Sequence, residues 1–340
     1  MSGENARILY LKSVGSGDDP QIIPPLYPHG YIAIDSTNGK TLFTIDTVDA
    51  VLSPSRTRLY SVQPNEIVIF DTTTGQHIKS ISREPDLFSE ITNSKILKRS
   101  ISSDEKLLYE VHHRTTQPLV FQSMNLNSGS MLKPISIDDD CVMVVAHVAN
   151  VFDMVYFRCG RNIKYMDVYD PILRVLNLPS HALLTLSPDQ QKLYSMFDGK
   201  LSSYDNKTQS LITSLILLKN QSDGPQHQRL LISRDGTKLV IMSHLYEKLD
   251  RGETGVYKSQ GIVACEVIDL THNRHMNLFT YEGHFTAFEL TYDGAILYAT
   301  TLQRYANSID SVLVKIDVLT GQLISRRTYF DSVITELFLI

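Results

Sequence analysis

An eight-residue frame recurs five times along this chain and constrains the fold more than any other feature. It reads SPSRTRLY at 53–60, SSDEKLLY at 102–109, SPDQQKLY at 187–194, SRDGTKLV at 233–240 and TYDGAILY at 291–298. Each copy opens on Ser or Thr, passes through turn residues and ends on Leu followed by Tyr or Val. Pro at the first turn position fixes φ, and Asp or Gly tolerates the left-handed position, so each frame predicts a hairpin between two strands.

A second signature alternates with the first. A strand ends in Asp and Gly follows four residues later: Asp35 with Gly39, Asp71 with Gly75, Asp317 with Gly321. Asn125 with Gly129, Asp167, Asp205 and Asp269 mark degenerate copies, which makes seven in all. The Asp caps the turn and the Gly takes a positive φ, as in a hairpin with a bulge. Interleaved, the two signatures give four strands per unit. The third strands at 67–70 and 312–316 are rich in β-branched residues. Four-stranded units in sevenfold repetition predict an all-β, seven-bladed β-propeller with antiparallel blades.

The ends predict how the ring closes. Blades 2 to 7 run 48–83, 94–136, 140–178, 180–218, 227–281 and 284–330, as one domain spanning 1–340. Blade 1, 6–47, begins with its second strand at 7–11 and lacks an innermost one. The final stretch, 331–340, reads as one spare strand, SVITELFLI. Placing it beside 7–11 completes blade 1 and covers two open sheet edges.

The repeat resembles the YVTN-type propellers, whose units run apolar strand, SPDG turn, LYV and a V-x-V-I-D-T-x-T-G hairpin. IVIFDTTTGQ at 67–76 and VLVKIDVLTGQ at 312–322 carry the likeness. More distantly, through the long loop before VACEVID at 263–269, it is similar to the large chain of quinoprotein amine dehydrogenases. WD-repeat propellers match less well, because the chain has no Trp. Gly283-His284-Phe285 stands where lactonase-type propellers carry Pro-Arg-His.

Composition excludes some functions. With 32 basic against 37 acidic residues and a net charge of −5, the chain lacks the broad basic face that phosphate backbones require, so no nucleic-acid partner is expected. No apolar stretch reaches membrane-spanning length and no signal-like segment opens the sequence, which gives the expectation of a cytoplasmic protein with no membrane partner. Three cysteines, Cys141, Cys159 and Cys265, are too few and too scattered for a disulfide framework or a zinc site. They are expected to be buried free thiols. No metal and no cofactor is expected.

Two places could carry function. The loops between second and third strands are long at 243–261 in blade 6, 300–310 in blade 7 and 13–30 in blade 1, and closure makes these blades neighbours. They bring His244, Tyr246, Arg251, Tyr257, Arg304, Tyr305 and His29 to one sector of one face, with aromatic and Arg anchors suited to recognition. The second place is the mouth of an axial channel. Counting back from the turn Ser places Asp49, Lys98, Val145, Leu183, Arg229 and Ala287 at equivalent points of the innermost strands, with His147 and His284 close by. Such charges could hold an anion or polarise a carbonyl, or Asp49 and Lys98 could simply form a structural ion pair. His112 and His113 are read as a blade 3 loop, and His272 and His275 as an exposed turn.

The expected function is therefore a recognition module binding a protein or small ligand over blades 6, 7 and 1. The alternative is a small-molecule enzyme of lactonase, lyase or isomerase type at the channel mouth. A third reading is a subunit related to quinoprotein dehydrogenases.

Overall fold

The structure is a computed structural model that describes residues 8–15, 30–38, 40–47, 49–84, 94–114, 117–137, 141–143, 154–170, 172–217, 228–246, 261–283, 285–304, 309–329 and 332–340. Seven four-stranded antiparallel sheets, one per sequence unit, define a seven-bladed β-propeller. The chain divides into two compact units, Met1–Asp46 with Thr185–Ile340, and Thr47–Leu184. Among the described residues no helix is long and apolar enough to cross a membrane.

The first unit holds blades 1, 5, 6 and 7. Blade 1 is composite: the C-terminal strand Ser332–Leu339 lies innermost, followed by Ile8–Gly15, Gly30–Asp35 and Thr41–Ile45. Tyr10 is in register with Phe338 and Leu11 with Leu337, as the spare strand anticipates. Blade 5 runs Leu183–Leu186, Lys192–Phe197, Lys200–Asp205 and Leu211–Ile216. Blade 6 runs Gln228–Ile232, Lys238–Tyr246, Gly261–Asp269 and Arg274–Glu282, and blade 7 runs Phe285–Leu290, Ile296–Arg304, Ile309–Asp317 and Leu323–Tyr329.

The second unit holds blades 2, 3 and 4. Blade 2 runs Ala50–Leu52, Arg58–Val62, Glu66–Asp71 and His77–Ser82. Blade 3 runs Ser94–Ile101, Leu107–Arg114, Gln117–Asn125 and Ile135–Ser136. Blade 4 runs Cys141–Met143, Met154–Cys159, Asn162–Asp167 and Arg174–Pro179.

The recurring frame works by one device in all five copies. Its first hydroxyl accepts the backbone N–H five residues on: Arg58 to Ser53 at 3.1 Å, Leu107 to Ser102 at 2.9 Å, Lys192 to Ser187 at 2.9 Å, Lys238 to Ser233 at 2.9 Å and Ile296 to Thr291 at 3.0 Å. The fourth residue takes a positive φ in each, as Gly236 and Gly294 in two and as Arg56, Glu105 and Gln190 in three. In the second signature the Asp71 carboxylate accepts the N–H groups of Thr73 and Thr74 at 2.9 and 2.8 Å, and these bonds hold its carboxyl below the usual range. Gly321, with φ 71°, serves a further purpose. A Cβ there would lie 2.5 Å from the Phe279 Cβ, so this blade 7 turn also needs glycine to approach blade 6.

Alternation along each strand sends one face to the preceding blade and the other to the next. Tyr60 and Val62 of blade 2 pack with Ile101, Leu108 and Met124 of blade 3, and Tyr109 and Val111 of blade 3 pack with Val155 and Phe157 of blade 4. Val240 and Met242 of blade 6 join Leu297 and Val314 of blade 7. Leu313 and Tyr298 of blade 7 join Leu9, Ile32 and Ile334 of blade 1. The apolar pairs that end four of the frames thus contribute Tyr60, Leu108, Tyr109, Val240, Leu297 and Tyr298 to the seams between neighbouring blades.

The cysteines depart from expectation. Cys141 and Cys159 stand opposite one another on adjacent strands of blade 4 and form a disulfide. Widely separated in sequence, they are joined by strand pairing, which brings opposed side chains within bonding reach. Only Cys265 is free among the three, and burial pushes its thiol up to about 12.

Candidate functional site

The connections between second and third strands and those between blades emerge at one end of the sheets, here termed the loop face. Strand lengths there are uneven within the first unit. The second strands of blades 5, 6 and 7 all start five residues after their frame's first residue, at Lys192, Lys238 and Ile296. The blade 5 strand has 6 residues and turns tightly through Asp198 and Gly199, both at positive φ. Those of blades 6 and 7 have 9 residues each, and so do their third strands. Because the starts coincide, the surplus lies entirely at the loop face, where three extra residues add about 10 Å. Two neighbouring hairpins therefore stand above blade 5.

These hairpins carry three of the residues picked from sequence. His244 and Tyr246 are on the rising strand of blade 6, opposite Val263 and Gly261, and Arg304 ends that of blade 7, opposite Ile309. His244 is half-buried, in phase with Met242 and Val240 on the side toward blade 7. His29, Arg251, Tyr257 and Tyr305 lie outside the described residues.

A polar seam fixes blade 7 against blade 1 below the hairpins. Thr286 shares a 2.8 Å hydrogen bond with Thr300 and donates to the Ile334 carbonyl at 3.1 Å, while the Ile334 N–H donates to Ser311 at 2.9 Å. On blade 1, Glu336, Lys12 and Tyr31 form a row across three strands. Lys12 Nζ is 3.0 Å from Glu336 Oε1, and Tyr31 donates its hydroxyl to Oε2 at 3.1 Å.

In the second unit the structure reveals a buried ionic cluster that the sequence reading missed. Glu110 is its hub. Arg83 Nη2 donates to Oε2 at 2.5 Å, Arg99 Nε to Oε1 at 2.7 Å, and His112 Nε2 lies 3.4 Å from Oε2. Desolvation works to raise the Glu110 carboxyl, but contact with His112 and the charges of Arg83 and Arg99 outweigh it and hold the group at about 2. Arg99 also binds Asp49, whose side chain is 51% exposed, so the cluster reaches solvent there.

Several expectations change accordingly. The ionic partner of Asp49 among the described side chains is Arg99, the neighbour of Lys98; Arg99 stands opposite Glu110 in the same register as Ala50 opposite Ser61 in blade 2. The Lys98 side chain, His147 and His284 lie outside the described residues. Arg229 donates to the carbonyl of its neighbour Gln228 at 3.1 Å. His112 and His113 belong to the strand Leu107–Arg114 rather than to a loop, and His112 is fully buried. His275 likewise sits in a strand, with Nδ1 2.8 Å from buried Glu266 and Nε2 2.9 Å from the Ile216 carbonyl of blade 5. His272 is the exposed one; it and nearby backbone N–H groups hold Asp269 at about 2.

A signal for the cluster was present in the frames. At the position eight residues after the frame's first, four copies carry Ser61, Ser195, Ile241 and Ala299, and blade 3 alone carries a carboxylate. Three residues before the frame's first residue stand Ala50, Leu184, Leu230 and Phe288, against Arg99 in blade 3.

No protein-family model matches this chain, and no curated protein matches it in sequence. Solved structures do match in shape. The periplasmic gluconolactonase of Pseudomonas aeruginosa is 12% identical with a TM-score of 0.60, covering 99% of this chain and 99% of its own. A putative 6-phosphogluconolactonase from Bacteroides fragilis is 12% identical with a TM-score of 0.58, over 100% and 99%. The β-propeller domain of Myceliophteria thermophila Cps50 (Swd1) is 14% identical with a TM-score of 0.50, over 82% and 84%. At such identities the likeness establishes the seven-bladed propeller fold alone, a fold that hosts many unrelated activities.

Proposed function

We propose that the protein is a recognition module that binds a protein or small ligand on the loop face over blades 6, 7 and 1. The observation that carries this reading is the pair of nine-residue hairpins rising beside the six-residue hairpin of blade 5. A β-ladder fixes its backbone, so residues borne on it meet a ligand at little ordering cost. Thr286, Thr300 and Ser311 anchor the base of this sector to blade 1. Glu110, held at about 2, stays ionised at neutral pH and has no proton to give, which weighs against acid catalysis there.

The reading is tested by single substitutions His244→Ala, Arg251→Ala and Arg304→Ala, each assayed for affinity capture of a partner and for turnover of a metabolite panel. Loss of capture with wild-type stability supports it. Unchanged behaviour in both assays removes this sector as the site.

A further inference from the structure

His275, on the outermost strand of blade 6, has an oxygen against each nitrogen of its ring. Nδ1 is 2.8 Å from Oε1 of Glu266, whose side chain is 2% exposed. Nε2 is 2.9 Å from the Ile216 carbonyl on the outermost strand of blade 5. Both oxygens are acceptors: a carbonyl never donates, and an ionised carboxylate has no proton to give. A neutral imidazole carries one N–H and can serve only one of them. The arrangement is complete when a second proton sits on the ring, or between Nδ1 and the carboxyl.

Charge decides which contact fails when that proton leaves. The remaining N–H stays with the carboxylate, because a bond to an ionised acceptor is about twice as strong as one to a neutral carbonyl. Nε2 then turns a lone pair on the Ile216 carbonyl, and the tie between the two blades breaks. A second tie between the same strands does not titrate, since Asn273 Nδ2 donates to the Thr213 hydroxyl at 3.1 Å. The outer strand of blade 5 is thus held by a neutral bond at Thr213 and a proton-dependent one at Ile216.

The neighbouring groups leave this titration to the pair. Glu266 stands opposite two aliphatic side chains, Ile241 and Leu278, and His275 opposite Ile268. In blade 6, His272 and Arg274 are drawn to Asp269 instead. In blade 5, the outer strand Leu211–Ile216 has no titratable side chain, and Lys200 is in register with Ile216. Tyr194 of that blade, pushed up to about 12 chiefly by burial, stays neutral.

We propose that His275 and Glu266 form a proton-operated latch, which closes the outer strand of blade 5 onto blade 6 while the pair holds its extra proton and frees the Ile216 end when that proton is lost. The latch is separate from the recognition sector of blades 6, 7 and 1 and does not depend on that reading.

The test is amide hydrogen exchange of the full chain between about pH 5.5 and 8.5, the span in which imidazoles titrate. Rates are read as protection factors, which removes the intrinsic effect of pH, with 323–329 of blade 7 as reference. Protection of 214–217 should fall about fivefold as pH rises, the worth of one hydrogen bond, while the reference holds. In His275→Phe the fall should be absent, with protection fixed at the high-pH level. In Glu266→Gln the midpoint should move to lower pH, because an anion no longer favours the charged ring. In the wild type, ¹⁵N NMR of the His275 ring should titrate with the same midpoint as the fall. Flat wild-type protection, an equal fall in His275→Phe, an unmoved midpoint in Glu266→Gln, or a ring midpoint that differs from that of the fall overturns the proposal.

Discussion

Tyr10 stacks on Phe338 with ring centroids 5.1 Å apart and planes inclined by 17°, so the first and last described strands meet in one aromatic contact. Phe338 also touches Tyr31, at 5.5 Å, and is 7% exposed. Phe338→Ala should therefore cost about 3–5 kcal/mol, the usual range for emptying a core aromatic site. Urea denaturation checks this. A wild-type midpoint would mean that the terminal strand contributes little.

Glu110 should govern acid stability. Its carboxyl falls from an ordinary 4.5 to about 2 on folding, so the unfolded chain binds the proton more readily. The stabilisation is complete above about 4.5 and is lost as pH falls toward 2, amounting to something on the order of 3 kcal/mol. In Glu110→Gln this acid-dependent component should vanish. Overall stability at neutral pH should also drop by about 3–5 kcal/mol, because Arg83 and Arg99 lose their shared counter-charge. Denaturant midpoints of both proteins between pH 2 and pH 7 report this, and parallel curves would rule it out.

The disulfide gives a count. Under denaturing, non-reducing conditions the chain should show one titratable thiol, from Cys265, and three after reduction. Cys159→Ser should cost roughly 3 kcal/mol, as expected for a short closed loop. Three thiols before reduction would show that Cys141 and Cys159 are not bonded.

Gly321→Ala meets two obstacles at once, a φ of 71° and the Phe279 side chain. A loss of about 1–3 kcal/mol is expected from the strained backbone. Thermal unfolding that matches wild type would show that the turn shifts freely.

The fold was legible because its two turns are chemical. A hydroxyl at Ser53, Ser102, Ser187, Ser233 or Thr291 can reach only so far, and that fixes the frame length. Composite blade 1 followed from counting strands, since a missing inner strand at one end matched a spare one at the other. The site was less legible. The contiguity of blades 6, 7 and 1 held, because it depends only on that count. The Asp49–Arg99 pair was missed because the count compared only the position four residues before each frame, whereas Arg99 stands three before it. The pairing of Cys141 with Cys159 depends on which strand positions oppose one another, and spacing alone does not encode that. His112 was read as loop because HHR is polar, whereas the Glu110 cluster accommodates it inside a strand.

The account depends above all on the C-terminal strand serving as the inner strand of blade 1, which sets the sector of blades 6, 7 and 1 side by side. Amide hydrogen exchange tests this most directly. The ladder amides of 334–339 should exchange as slowly as those of Leu297 and Ala299 in the core of blade 7. Exchange of these amides at the rate of an unstructured peptide, with blade 7 still protected, would contradict it.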